Sequence, residues 1–148
     1  MDNCFTACGS ADDIPKADLD RFTDKIENVL NDEKGRKLFR NFMSTSKFKA
    51  GKKALLVWEN TERLLNYKEN AESGSQTHRN YLDDVLDLLD KAEKIEEIDF
   101  VTMERLITAV QEDNREGIVE GLELLKVETT KALRREYTKL RERLLNKV

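Results

Sequence analysis

Apolar residues recur at helical spacing along most of the chain. Asp18 is a suitable N-cap, and the residues after it carry a first apolar stripe of Leu19, Phe22, Ile26, Val29 and Leu30. A second stripe follows Asn31 and Asp32 and consists of Leu38, Phe39, Phe42 and Met43. The pattern ends at Ser44–Ser46. The spacing predicts two amphipathic helices separated by a short turn.

Two further helices are predicted in the middle of the chain. One begins near Gly51, runs to about Tyr67, and contains Ala54, Leu55, Val57, Trp58, Leu64 and Leu65. The polar segment Glu69–Thr77 then predicts a loop. The next helix carries the apolar residues Tyr81, Leu82, Val85, Leu86, Leu89 and Ala92, with aspartates on its other side.

Asp99 is placed to cap a fifth helix, whose apolar residues are Met103, Leu106, Ile107 and Val110. A break is predicted at Asn114–Gly117. From Ile118 a last helical stripe continues almost to the end of the sequence, through Leu122, Leu125, Leu133, Tyr137, Leu140 and Leu144. The β-branched residues within Val127–Thr130 lower helix propensity, so we expect a bend there.

Composition agrees with an all-α fold. The chain of 148 residues is 39% hydrophobic and 38% charged and has one proline. We expect a flexible N-terminal head over residues 1–16 and a single helical domain, a compact and mainly antiparallel bundle, over 17–148. Neither a signal-peptide pattern nor a long apolar run is present, which favours a cytoplasmic protein. The cysteines, Cys4 and Cys8, suit a reducing compartment, and they are candidates for S-acylation.

Charge is unevenly distributed. The net charge is −4, yet the stretch from Lys34 to Lys53 has no acidic residue. Its eight basic residues are candidate contacts for an anionic surface: Lys34, Arg36, Lys37, Arg40, Lys47, Lys49, Lys52 and Lys53. The last helix is also basic. An anionic membrane leaflet, an acidic protein or nucleic acid fits such a patch, and the alternative is an ordinary solvated face. Nucleic acid is disfavoured because the whole protein is acidic and no recognition motif accompanies the patch.

The segment Glu27–Met43 resembles the early core of the RGS family, the regulators of G-protein signalling. It contains a leucine, an acidic residue, a glycine and paired phenylalanines, and Val57–Trp58 occupies the place of the family's phenylalanine-tryptophan pair. The resemblance extends more faintly through Ile98–Asp99 and Glu104–Arg105 to Leu133 and Tyr137, covering about residues 18–145. It implies a nine-helix fold with a terminal subdomain and a four-helix bundle.

The resemblance also implies a surface that binds the switch regions of a Gα subunit. Carried over onto this sequence, the Gα-facing positions are Lys53, Ala54, Glu97, Asp99, Glu128 and Lys131. Lys53 and Ala54 stand where the family has glutamate and asparagine, and Glu97 replaces the asparagine that positions the catalytic glutamine of Gα. Because an alanine cannot replace an asparagine amide, we expect GTPase stimulation to be weak or absent.

Other candidate sites have simpler structural interpretations. His78, the sole histidine, is interpreted as a solvated surface residue rather than a general base. Asp83, Asp84, Asp87 and Asp90 lack the spacing of a calcium loop and are interpreted as a solvated helix face. Trp58 and Phe39 lie on apolar stripes and are expected in the core, and Asp99 is expected to be a helix cap. No metal site and no cofactor is predicted.

The sequence therefore favours a non-enzymatic, RGS-like regulator that binds Gα or another signalling protein. We expect it to be cytoplasmic, with the inner face of the plasma membrane as a peripheral site. The alternative is a non-catalytic helical scaffold of the same fold that binds a different protein or an anionic membrane surface. A third interpretation, a carrier of small apolar ligands, rests on the apolar stripes alone.

Overall fold

The computed structural model describes residues 14–67, 72 and 74–146, and this part of the chain is all-helical. Seven helices occur in the order α1 Lys16–Asp24, α2 Ile26–Leu30, α3 Glu33–Thr45, α4 Lys49–Asn66, α5 Gln76–Ala92, α6 Phe100–Gln111 and α7 Arg115–Asn146. The all-α prediction is confirmed; the described residues hold seven helices, where the resemblance implied nine for the whole chain. Cys4, Cys8 and most of the predicted head lie outside the described residues.

The described residues divide into two compact units. Unit 1 comprises residues 14–52 and 133–146, and unit 2 comprises residues 53–67, 72 and 74–132. Helices α4 and α7 each contribute residues to both units. In the described part of the chain, no helix combines the length and apolar character needed to cross a membrane.

The first predicted helix is in fact two helices. Pro15, not Asp18, precedes the first turn of α1, and the backbone is extended at Lys25, where α1 ends and α2 begins. Carbonyl groups in the last turn of a helix lack intrahelical partners. Here they accept hydrogen bonds from elsewhere in unit 1: Phe22 from the Tyr137 hydroxyl (2.8 Å) and Thr23 from Arg141 Nε (2.7 Å). These tertiary donors make an early end to α1 favourable.

Asp32 fixes the start of α3. Its side chain accepts hydrogen bonds from the backbone amides of Lys34 (2.7 Å) and Gly35 (3.3 Å), and from the Arg21 guanidinium (2.8 Å). The Arg21 hydrogen bond is the main cause that lowers the pKa of the Asp32 carboxyl from its ordinary value. Gly35 is required because a Cβ there would lie 2.5 Å from the carbonyl oxygen of Val29. α2 and α3 therefore meet backbone to backbone.

Most residues of the predicted apolar stripes lie in the cores of the two units, although Leu86 on α5 is exposed and Leu88 is buried instead. Phe39 in unit 1 and Trp58 in unit 2 are almost completely buried, which confirms the core prediction for both. In unit 2, a Cβ on Gly121 of α7 would lie 2.6 Å from Cγ of Leu106 in α6. The glycine therefore permits close packing of these two helices.

Helix boundaries in unit 2 differ slightly from the predictions. α5 begins at Gln76, capped by the Ser75 hydroxyl, so the end of the predicted Glu69–Thr77 loop is helical; residues 68–71 and 73 lie outside the described residues. α7 begins at Arg115, inside the predicted break, and the turn before it includes Asp113 with a positive φ of 52°. The Asn114 side chain accepts a hydrogen bond from the Gly117 amide (3.1 Å), as a helix cap does.

The long last helix is continuous in its hydrogen bonding. α7 extends over 32 residues and stays helical through 127–130, where the sequence predicted a bend. The hydroxyls of Thr129 and Thr130 donate to carbonyl oxygens one turn earlier. Since Thr129 is also fully buried, packing offsets its low helix propensity.

Candidate partner-binding surface

The six residues that the resemblance assigns to a Gα-facing surface all belong to unit 2. The structure brings two of them together, although they are far apart in sequence. Asp99 lies at the N-terminus of α6, and Glu128 lies in the middle of α7. The Glu128 carboxylate accepts a hydrogen bond from the backbone amide of Asp99 (2.6 Å) and another from the hydroxyl of Thr102.

Asp99 is a helix cap, as predicted. Its side chain accepts a hydrogen bond from the amide of Val101 at 2.9 Å. Together with Glu128, it places two carboxylates at the start of α6, where unpaired backbone amides and the helix dipole favour negative charge. The start of α6 and the middle of α7 are therefore held together by carboxylates that accept hydrogen bonds at the positive end of the α6 dipole.

Large apolar side chains are exposed next to this junction. Phe100 and Val101, which follow Asp99, are 73% and 59% exposed. Leu124 and Val127, on the turn of α7 before Glu128, are also exposed. We call these four residues, with Glu97, Asp99, Glu128 and Lys131, the α6–α7 surface. Exposed apolar groups with a polar rim are typical of a protein-binding surface.

A groove between α6 and α7 continues from this surface. Its volume is about 480 Å³. Phe100, Val101 and Arg105 line it from α6, while Gly117 and Gly121 line it from α7. Because Gly117 and Gly121 lack side chains, the α7 wall of the groove lies close to the helix backbone.

The remaining residues of the resemblance are placed differently. Glu97 lies in the turn before α6, and Lys53 and Lys131 lie on α4 and α7; all three are exposed. Ala54 is only 1% exposed, so its side chain belongs to the core and is not available to a partner. The resemblance placed Ala54 on an exposed contact surface, and its burial does not agree with that prediction.

His78 is not a solvated residue. It is 1% exposed, and its Nε2 lies 2.6 Å from Oδ1 of Asp113, in the turn between α6 and α7. Its ring stacks on Tyr81, which stacks on Tyr67. The predicted exposure of His78 is wrong: the preceding Gly-Ser loop indicated exposure, whereas the histidine lies on the inward side of the first turn of α5. The contacts of His78 connect the start of α5 to the turn between α6 and α7, which is a structural role.

The aspartates on α5 are exposed, as predicted. In the residues that the structure describes, no group of three or more acidic, histidine or cysteine side chains is arranged to hold a metal ion. The basic stretch is split, since seven of its residues, from Lys34 to Lys52, belong to unit 1 and Lys53 belongs to unit 2.

The exposed apolar residues of the α6–α7 surface were not predicted from the sequence. A signal was present for Val101, because it shares a helix face with the polar residues Arg105 and Thr108, and a polar face is usually exposed to solvent. No comparable signal exists for Phe100, which lies on the same helix face as the half-buried Met103 and Ile107.

Comparison with known proteins gives no family or function: no family model, curated protein or solved structure matches this chain.

Proposed function

We propose that this chain is an RGS-like regulator that binds a Gα subunit through the α6–α7 surface. The observation that carries the proposal is the hydrogen bonding of Glu128 to Asp99 and Thr102. It joins two of the segments that the resemblance assigns to Gα contact, beside exposed apolar groups. The division into two units also supports the proposal. One unit contains both end segments of the described chain and the other contains the middle, which agrees with the terminal subdomain and separate bundle that the resemblance implies.

The proposed mechanism is stabilisation of the switch loops of Gα by contact, with no catalytic residue contributed by this chain. In GTP hydrolysis, positioning of the attacking water and stabilisation of developing charge account for most of the catalysis. Glu97 limits this mechanism, because an ionised carboxylate has no hydrogen to donate, whereas the family's asparagine amide does. Binding without strong acceleration is therefore the expected behaviour.

Single-turnover GTP hydrolysis by a panel of Gα subunits, combined with binding in the GDP and GDP–aluminium fluoride states, tests the proposal. We expect aluminium fluoride to strengthen binding, because it mimics the transition state that the switch loops stabilise. Phe100→Ser should weaken binding at least about tenfold, since exposed aromatic anchors often dominate an interface. Leu86→Ser, a change at an exposed apolar residue of α5, is the matched control and should bind normally. Absence of binding in both nucleotide states would overturn the proposal.

A gain of function provides a second test. Glu97→Asn introduces an amide donor at an exposed turn position, where folding should be unaffected. We expect faster GTP hydrolysis by a bound Gα. The corresponding change at Ala54 is unsuitable, because an asparagine at this buried position would bury its amide. A well-folded Glu97→Asn variant that binds Gα without faster hydrolysis would contradict the role assigned to this turn.

A scaffold of the same fold that binds a different protein is the second candidate function. It is favoured by Lys53 and Glu97, whose side chains differ in chemistry from the standard contact residues, and by Ala54, which is buried and does not reach a partner. The two candidates differ in their response to nucleotide. A scaffold should capture its partner whether or not a Gα subunit or aluminium fluoride is present, and Phe100→Ser should reduce that capture equally.

A further inference from the structure

Two basic segments that are far apart in sequence belong to the same compact unit. The described residues of unit 1 carry 15 basic and 8 acidic residues, a net charge of +7. The described residues of unit 2 carry 9 basic and 18 acidic residues, a net charge of −9. The fold therefore concentrates positive charge in one unit, although the chain as a whole is acidic.

Aromatic contacts join the two basic segments. The guanidinium of Arg143, near the end of α7, lies 5.7 Å from the ring centroid of Phe42 in α3. The Phe42 ring packs edge-on against Phe48 at 5.9 Å. Phe48 lies between Lys47, in the connection before α4, and Lys49, the first residue of α4, so these two lysines are close to the basic end of α7.

A second contact lies about two helical turns earlier on α7. A Cβ on Gly51, in the first turn of α4, would lie 3.0 Å from Cγ of Glu136. Lys52 follows this glycine, and Lys139 is one turn beyond Glu136. We call Lys47, Lys49, Lys52, Lys139 and Arg143 the basic face. Its members come from positions up to 96 residues apart in the sequence.

The charges of the basic face are available to a partner. All five residues are exposed, and in the described part of the chain none of its four lysines forms a salt bridge. Glu136 is buried, and its carboxylate lies 3.3 Å from the guanidinium of Arg135, which is itself largely exposed. Glu142 is the exposed acidic residue on this part of α7. The five positive charges of the basic face exceed the negative charge nearby even when Glu142 is included.

We propose that the basic face binds the surface of an anionic phospholipid membrane. Its four lysines are compact, exposed charges on two segments of unit 1, an arrangement that suits the diffuse negative potential of a lipid leaflet. Specific phosphate recognition more often uses the bidentate geometry of arginine. Phe42 and Phe48 are half-buried between these cations, and apolar groups among basic residues strengthen interfacial binding. This proposal does not depend on Gα binding.

Cosedimentation of the full chain with vesicles tests the proposal. Vesicles of phosphatidylcholine alone should bind little, and vesicles with about 30% phosphatidylserine should bind strongly in low salt and weakly in 0.5 M salt. The triple variant Lys47→Glu, Lys49→Glu, Lys52→Glu should lose at least about tenfold in partitioning. It should remain folded: Lys49 and Lys52 lie in the first turn of α4, where acidic residues are favourable and none is present, and Lys47 is exposed in the preceding connection.

The matched control is Arg63→Glu, Lys91→Glu, Lys94→Glu, which makes the same change in charge at exposed positions of unit 2. Near-normal vesicle binding by this control supports the proposal; an equal loss in both variants would overturn it, because net charge alone would then explain binding. Displacement from vesicles by millimolar inorganic phosphate would assign the face to a small phosphate ligand instead. Tighter binding to RNA than to anionic vesicles, or salt-sensitive self-association without vesicle binding, would also overturn it.

Discussion

Substitution of Glu128 by alanine tests how the α6–α7 surface is held together. The carboxylate accepts hydrogen bonds from the Asp99 amide at 2.6 Å and from the Thr102 hydroxyl, which is buried. Alanine removes an ionised acceptor from both donors. We expect the free energy of unfolding to fall by about 2–3 kcal/mol, the range for losing a charge-assisted hydrogen bond and leaving a buried hydroxyl unsatisfied.

Urea unfolding followed by two spectroscopic probes measures this loss, and coincident transitions justify a two-state analysis. The expected decrease in Tm is about 5–10 °C for a chain of this size. Glu123→Ala, an identical change at an exposed position of α7, is the control and should alter stability by less than about 0.5 kcal/mol. Thr102→Val completes a double-mutant cycle with Glu128→Ala, and the two changes should be strongly non-additive.

A stability of Glu128→Ala equal to that of the control would refute the reasoning, because the carboxylate would then contribute nothing to the start of α6. Additive effects of the two single changes would refute the Thr102 contact in particular. The same variant bears on function. Since Glu128 connects α7 to the N-terminus of α6, its loss should weaken partner binding together with stability.

Three other substitutions have definite expected outcomes. Gly35→Ala should lower the free energy of unfolding, measured in urea, by about 2–3 kcal/mol, because the added Cβ would meet the backbone of α2. This loss is expected even though alanine normally favours a helix over glycine. An unchanged stability would contradict the close approach of the two helices. Tyr137→Phe should cost about 1 kcal/mol, because the hydroxyl donates to the carbonyl of Phe22, and a neutral result would exclude that bond. Asp32→Asn keeps a good N-cap but removes the charge that pairs with Arg21. Because the folded-state pKa of Asp32 is lowered below its ordinary value of 3.8, its contribution is complete well above that pH and is lost as the pH falls through the folded-state pKa. The stability difference between the wild type and Asp32→Asn should therefore disappear in acid, and a difference that persists at the lowest pH would contradict the ion pair.

Local signals predicted most of the helices. Trp58 and Phe39 were assigned to the core from the period of their stripes, and Asp99 was assigned as a cap from its position before an apolar pattern; all three predictions are confirmed. Such features depend on residues within one or two turns of each other. They can therefore be read from the sequence without knowing which helices are neighbours.

Predictions failed where a distant partner decides the local structure. The early end of α1 depends on donors more than 100 residues away, Tyr137 and Arg141, which satisfy its last carbonyls. His78 is buried because Asp113 and Tyr81 provide partners for its ring. The end of α1 has no signal in the adjacent residues. His78 does have one, because it shares the helical phase of the buried Tyr81 and Val85, but the polar loop before it was given more weight.

The sequence by itself determined the all-α class, most helix cores and the presence of two basic segments, because periodicity, capping and charge are properties of short stretches of chain. Only the tertiary structure decided that Glu128 completes the start of α6, and that Lys47, Lys49 and Lys52 lie close to the basic end of α7 in the same unit. Surfaces of this kind combine residues that are distant in sequence. Their composition depends on which helix faces pack together, and packing is settled by the whole chain.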